Sequence, residues 1–301
     1  MIRRLALLVA ALLLSVGGVS VWSLATAQED ESEERGAFIR FVENTISTPD
    51  RQIRLGSING ALSSDVRIST ITISDREGVW LTVNDAHLVW SRLALLRGRL
   101  DIDLLEAASI VVERPPVAAE DAPTPAASEP FTLPDLPVEV LIDRLTVPEV
   151  VLGAPVLGDP ARLAVEGSIA LAGGALDANL AIERTDETPG SLALTAAYAD
   201  ETGQLDLDLT VDEPANGVIA NLIGIPDRPA VRFTIAGSGP LEDFAARIAL
   251  AADGEELLGG AVTLSAANGG LRFVTDLSGM LERLFPPAYA PYFTGTSRLV
   301  I

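Results

Sequence analysis

The chain contains no cysteine, which excludes a disulfide framework, a thiolate metal site and a cysteine nucleophile. It contains no lysine either, since all 21 of its basic residues are arginine. A Schiff-base lysine and the phosphate-clamping lysine of a P-loop are therefore excluded as well. Histidine occurs once, as His87, too few for a histidine metal centre. Aromatic residues make up only 5%, which leaves little material for the aromatic platforms of a sugar cleft. Bases are outnumbered, with 42 acidic residues against 21 and a net charge of −21. Such a field opposes nucleic acid, whose binding depends on basic side chains neutralising phosphates. It equally opposes lying flat on an anionic membrane surface.

What is present is aliphatic. Hydrophobic residues account for 48% of the 301 positions, and with so few aromatics they are mainly Leu, Val, Ile and Ala. At the N-terminus, Arg3 and Arg4 precede an uncharged apolar run from Leu5 to Leu24. The acids Glu29, Asp30, Glu31, Glu33 and Glu34 follow it. About twenty apolar residues cross a bilayer as a helix, with Leu5, Leu8, Leu12, Val16, Val19 and Trp22 as the lipid-facing candidates. Basic residues before the run set an N-in, C-out orientation. Ala25-Thr26-Ala27 also matches a signal-peptidase site, so residues 1–27 read as either an uncleaved signal-anchor or a cleaved signal peptide. Both readings place the remainder outside the cytoplasm.

Residues 28–48 form an acidic tether followed by a short amphipathic helix, with Phe38, Phe41, Val42 and Ile46 on one face. Residues 49–114 read as a β domain. In it Val66 and Ile68, then Ile71 and Ile73, alternate with polar residues, and the slip at Ser69–Thr70 suggests a bulge. Asp75 to Gly78 is a turn and Val79 to Trp90 a strand. Leu93 to Leu96 is a brief turn before strands at Leu100–Leu104 and Ser109–Glu113. Residues 115–137 form a Pro/Ala-rich linker, with Pro115, Pro116, Pro123, Pro125, Pro130, Pro134 and Pro137 removing ladder donors. Residues 138–301 repeat apolar alternation between turn signals, a β-meander of about twelve strands. A short helix at Gly217 to Ile223 interrupts it, and Gly237 to Pro240 reads as a break. At ~4.8 Å per strand the meander spans roughly 55 Å. The chain stops at Arg298-Leu299-Val300-Ile301 inside a strand-like run, and so reads as part of a longer protein.

The chemistry on offer is thin. His87 has Asp85 on the same strand face but no evident nucleophile, and a surface or edge histidine is the better reading. Asp206 and Asp208 share one strand face, as a glycosidase pair or a calcium site requires, although a solvated acidic face explains them more simply. Trp80 and Trp90 fit a core or an interface. No cofactor fingerprint is present, and the chain does not read as an enzyme. The strand Gln204 to Asp212 carries the clearest message: Leu205, Leu207, Leu209 and Val211 face one way, and Asp206, Asp208, Thr210 and Asp212 the other. A sheet of this kind must meet a second sheet or curl around something apolar.

Several segments, taken in order, resemble the N-terminal part of the TamB family, the inner-membrane component of the translocation and assembly module. They are Ile58-Asn59-Gly60-Ala61-Leu62-Ser63-Ser64, Ile71-Thr72-Ile73-Ser74-Asp75 and Gly78-Val79-Trp80-Leu81. Ala86-His87-Leu88-Val89-Trp90, Leu95-Leu96-Arg97-Gly98-Arg99-Leu100 and Phe131-Thr132-Leu133-Pro134-Asp135-Leu136-Pro137 complete the set. The resemblance implies an all-β fold, an elongated, curled antiparallel sheet forming a taco-like groove, with an N-terminal membrane helix and one or two short helices. It implies a single-pass inner-membrane protein with its bulk in the periplasm, carrying phospholipid between inner and outer membranes. Its outer-membrane barrel partner would dock through a C-terminal region that is missing here. The groove candidates are Leu192, Leu194, Leu205, Leu207, Leu209, Val231, Phe233, Ile235, Val262, Leu264, Leu271 and Phe273. Two alternatives stand beside this reading: an assembly factor for outer-membrane or autotransporter proteins, and a purely structural β-sandwich of the envelope.

Overall fold

The computed structural model describes residues 43, 47, 48, 51–60, 63–117, 133, 138–267, 270–284, 288 and 290–300. The expected membrane helix with Leu5, Leu8, Leu12, Val16, Val19 and Trp22 lies outside them, as do most of the expected amphipathic helix and most of the Pro-rich linker. Among the described residues no helix is long and apolar enough to cross a membrane.

These residues build one 15-stranded sheet, long, curled and unclosed. Its first half contains β1 (Gln52–Leu55), β2 (Ile58–Asn59), β3 (Asp65–Asp75), β4 (Gly78–Trp90), α1 (Arg92–Leu95), β5 (Arg99–Val112), β6 (Glu139–Leu152) and α2 (Ala154–Leu157). There follow β7 (Ala161–Ala172), β8 (Ala175–Arg184), β9 (Ser191–Ala199), β10 (Gln204–Glu213), α3 (Val218–Leu222), β11 (Val231–Pro240) and β12 (Asp243–Ala252). The last elements are β13 (Glu255–Ala267), β14 (Gly270–Gly279), two 3-10 turns (Leu281–Leu284 and Ala290–Phe293) and β15 (Ser297–Val300). Each strand pairs with its sequence neighbour, except that β1 and β2 both pair with β3.

All pairings are antiparallel but one: β5 and β6 run parallel, with Leu100 beside Val140 and Leu105 beside Leu145. The physical reason lies in the Pro-rich stretch between them. A chain rich in proline cannot make a tight hairpin ladder, and 14 residues of β5 span roughly 45 Å, so the connection returns the length of a strand before pairing resumes. The β-rich stretches on either side of the linker thus belong to one sheet.

Several expected boundaries are corrected. The two strands expected at Leu100–Leu104 and Ser109–Glu113 are one, β5, because Leu105, Glu106 and Ala107 stay in the ladder opposite β4. Gly237 to Pro240 is no break, since all four residues lie in β11 and the turn follows at Leu241–Glu242. The glycines there permit close approach: a Cβ at Gly237 would meet the Ala245 carbonyl oxygen at 2.6 Å. The meander from β6 to β15 has ten strands where about twelve were expected, because individual strands run longer than the turn signals suggested. The slip at Ser69–Thr70 is not a bulge in the β3–β4 ladder. Ile68 pairs with Ala86 and Thr70 with Asn84 without a shift, because β4 slips too, at Asp85 with φ of 49°. Ladder shifts occur elsewhere, at Ile73/Ser74, Val89/Trp90, Ile142/Leu145, Val147/Val150 and Leu250/Ala251. Such bulges bend strands and increase twist, which suits a curled sheet.

Dense packing is confined to the two flanks. At the first, Ile58, Val66, Trp90, Leu100, Ile102, Val140 and Ile142 form one cluster, joined by Leu95 of α1. At the other, Ala220 and Ile225, in and just after α3, cover Val231 and Leu250. Trp80 is buried as well, so both candidate tryptophans are packed. Where β5 leaves the sheet, Arg114 grips Asp75 with both terminal nitrogens, at 2.8 and 2.5 Å. The Val117 and Glu77 amides donate to the same carboxylate. The Arg114 hydrogen bond, reinforced by those amides and outweighing burial, holds the Asp75 carboxyl well below the usual range.

Candidate functional site

Cross-strand partners share a face of the sheet, so the register assembles scattered residues into rows. One row runs Val66–Leu88–Leu105–Leu145 through β3 to β6. It continues as Gly167–Leu180–Leu194–Leu209–Ile235–Ile248 through β7 to β12 and ends as Gly260–Leu277–Leu299. A second row on the same face holds Val165, Ile182, Leu192, Val211, Phe233, Leu250 and Leu258. A third holds Leu171, Leu176, Tyr198 and Leu205. Every strand from β3 to β15 thus contributes an aliphatic or glycine at the same height, and the rows cross the strands along the long axis of the sheet. Gly167 interrupts the first row for a local reason: a Cβ there would meet the Asn179 carbonyl oxygen at 2.5 Å.

The burial of these rows decides what the face can do. In β8 to β10 the outward residues are mostly exposed, while Leu176, Leu180, Ile182, Leu192, Leu194, Leu205, Leu207 and Leu209 are only half-buried. In a sandwich the inward row is fully covered by the facing sheet. Here the row is only half-covered, and none of the dense clusters includes β8 to β10. Tyr198 and Val211 are the exceptions, both buried; burial, then the charge of Asp200, pushes the Tyr198 hydroxyl pKa up.

The candidates from the sequence separate accordingly. Leu194, Leu209 and Ile235 come together in the first row, and Leu192 and Phe233 in the second. Leu205 and Leu207 lie beside them, half-buried. Val231 is buried beneath α3, and Val262 is buried too. Leu264 pairs with Phe273, which is 55% exposed. The side chain of Leu271 lies outside the described residues. Asp206 and Asp208 project into solvent from the opposite face, where Asp206 accepts a hydrogen bond from the Ser238 hydroxyl. His87 does not contact Asp85; its Nε2 lies 3.0 Å from Asp65 and its Nδ1 3.7 Å from Glu106.

The sequence reading missed how one end of the strands is closed. The Arg184 side chain, on the aliphatic face, is nearly buried between Asp186 at 2.8 Å and Glu213 at 3.4 Å. Burial opposes its charge, but the two carboxylates outweigh that and hold its pKa above the ordinary value. Glu213 also accepts the Ile219 amide at 2.7 Å, fixing the start of α3. Asp159, just beyond α2, accepts from Asn221 and Arg228 beyond the β10 end, tying together two loops that β7 to β10 separate. A readable signal existed: Leu176, Ala178, Leu180 and Ile182 alternate regularly, and the next inward position is Arg184.

An open depression of about 570 Å³ lies over β6 to β9. Its lining includes Thr146, Glu166, Ser168, Asn179, Ala181 and Thr195, residues of the polar rows, so it belongs to the outer face. No known family model matches the chain, and neither does any characterised protein or solved structure.

Proposed function

We propose that the chain is a non-catalytic scaffold, tethered to the inner membrane with its bulk in the periplasm, that carries phospholipid along the apolar face of a taco-like sheet. One observation carries this reading: apart from Tyr198 and Val211, the aliphatic rows through β8 to β10 are left half-exposed, in a single unclosed sheet. An uncovered aliphatic surface of this length is costly in water, and acyl chains would cover it at about 0.8 kcal/mol per CH₂. The rows run along the sheet, so a chain lying in them meets an aliphatic, aromatic or glycine residue at each strand and no charged side chain within the row. Headgroups remain at the open seam. The resemblance of the segments around Gly60, Asp75 and Trp90 to the TamB family agrees with this reading and with an outer-membrane barrel partner.

A second reading, assistance to outer-membrane client strands, has one observation in its favour. β15 pairs with only Asp276 to Gly279 of β14, which leaves the Gly270–Thr275 edge without a partner among the described residues. Strand addition to such an edge is a known recognition mode. A photo-crosslinker in place of Leu207 or Phe233 separates the readings. Phospholipid adducts are expected at both positions; adducts to protein strands would favour the second reading, and the absence of any adduct would contradict both.

A further inference from the structure

Residues 214–230, which join β10 to β11, fold back over the aliphatic face of the sheet. Gly217 to Ile225 reads Gly-Val-Ile-Ala-Asn-Leu-Ile-Gly-Ile, so Asn221 is the one polar side chain in and around α3. A helix that is apolar all round belongs in a buried place, yet this one is covered on one side only. Val218, Ala220 and Ile225 are buried, while Leu222 is 61% and Ile223 51% exposed. Ala220 and Ile225 rest on Val231 and Leu250, and Phe233 and Leu258 pack against the same cluster. Phe233, Leu250 and Leu258 are the far end of the second aliphatic row. The loop therefore roofs that row from β11 to β13, whereas Ile235 and Ile248 of the first row lie outside the cluster.

The roof is fastened at its rim. Arg228 Nη2 donates to Asp159 Oδ2 at 2.5 Å and Asn221 Nδ2 to the same oxygen at 3.1 Å. The Asn216 amide donates to the Arg228 carbonyl at 2.8 Å and closes the neck of the loop. Asn216, Asp227 and Arg228 have φ of 66°, 60° and 45°, three of the five positive-φ non-glycine residues among those described. Such backbone is strained and persists only where surrounding contacts impose it. The side chains of Asp159 and Arg228 are 40% and 33% exposed, so this fastening faces water and is a weak one.

We propose that residues 214–230 are a lid, latched shut through Asp159, that opens to admit an acyl chain to Phe233, Leu250 and Leu258. The identity of the guest rests on the lipid-carrying reading; the motion does not. Opening lifts Ala220 and Ile225 from Leu250, and an acyl chain replaces them aliphatic for aliphatic, so the exchange loses little apolar burial. Because α3 has no wet face, the opened lid presents apolar side chains to the guest from either side. The latch is the polar part of the device, and losing it relaxes the strained neck.

Hydrogen exchange on the full chain tests the motion. The Ile223 and Ile225 amides donate to Ile219 and Ala220 at 3.0 and 2.9 Å and report α3. They are expected to exchange faster than the β11 amides, and Asp159→Ala should speed them about fivefold while leaving β11 unchanged. A photo-crosslinker in place of Leu258, beneath the lid, or of Leu207, clear of it, tests the guest on phosphatidylethanolamine vesicles. Asp159→Ala should raise phospholipid capture at 258 several-fold and leave capture at 207 unchanged. The lid is overturned if α3 exchanges only together with β11, or if Asp159→Ala leaves its exchange unaltered. Capture at 207 with no gain at 258 likewise overturns the lid alone. Absence of capture at both positions overturns the lipid-carrying reading, and the guest with it.

Discussion

Replacing Leu194 and Ile235 together by aspartate is expected to lower phospholipid capture by the purified chain at least tenfold while leaving it folded. The two residues lie in one row, with Leu209 between them, so the new carboxylates are not direct cross-strand neighbours and repel each other weakly. Each leucine or isoleucine is half-buried, which puts the lost burial at about 1 kcal/mol per site, half of the usual value for full burial. A carboxylate at either position reaches water. Combined destabilisation of about 2 kcal/mol follows, within the reserve of an ordinary domain. Acyl chains, by contrast, would have to strip water from two charges. Capture is read by mass spectrometry of extracted lipid and stability by urea denaturation. If these residues formed a sealed core, two unpaired carboxylates would unfold the chain, and that outcome would separate a dry interior from an open one.

The second large effect belongs to the packed flank. Trp90→Ala is expected to cost about 3–5 kcal/mol, because Trp90 is 5% exposed and touches the cluster that joins β2 to β6. Its indole nitrogen is buried with no hydrogen-bond partner among the described residues, so Trp90→Phe loses volume but no such hydrogen bond and should be much milder. Chemical denaturation of the two variants ranks them. A loss below about 1 kcal/mol for alanine would mean that this flank is as loosely packed as the middle of the sheet. The contrast between Trp90 and Leu194 expresses the proposal: substitutions at the flanks are expected to act on stability, and substitutions between them on the proposed lipid guest.

Alternation along single strands was legible in the sequence because period two is local. Leu205, Leu207 and Leu209 could be placed on one face without knowing any neighbour. The α3 helix was legible too, since Gly217 and the apolar run after it break the β pattern. What one strand cannot reveal is its register. That Leu194, Leu209 and Ile235 form a row depends on hairpin geometry at Thr202–Gly203 and on the long connection between β10 and β11. The parallel pairing of β5 with β6 was hidden for the same reason, because a Pro-rich linker announces only that no hairpin forms there. The closed end was hidden more deeply. Arg184 and Glu213 are 29 residues apart, and each alone looks like an ordinary charged strand end. Their meeting needs the register that sets the ends of β8 and β10 on either side of β9.

The central claim is that the aliphatic face between the flanks is open to a guest. Nitroxide labels at Leu194→Cys and, separately, at its neighbour Thr195→Cys test it most directly, since the two side chains leave β9 on opposite faces. In the lipid-free protein a water-soluble nickel relaxation agent should reach both labels, and added phospholipid should shield position 194 while leaving 195 unchanged. A label at 194 that is inaccessible before lipid is added, or indifferent to it afterwards, would contradict the account.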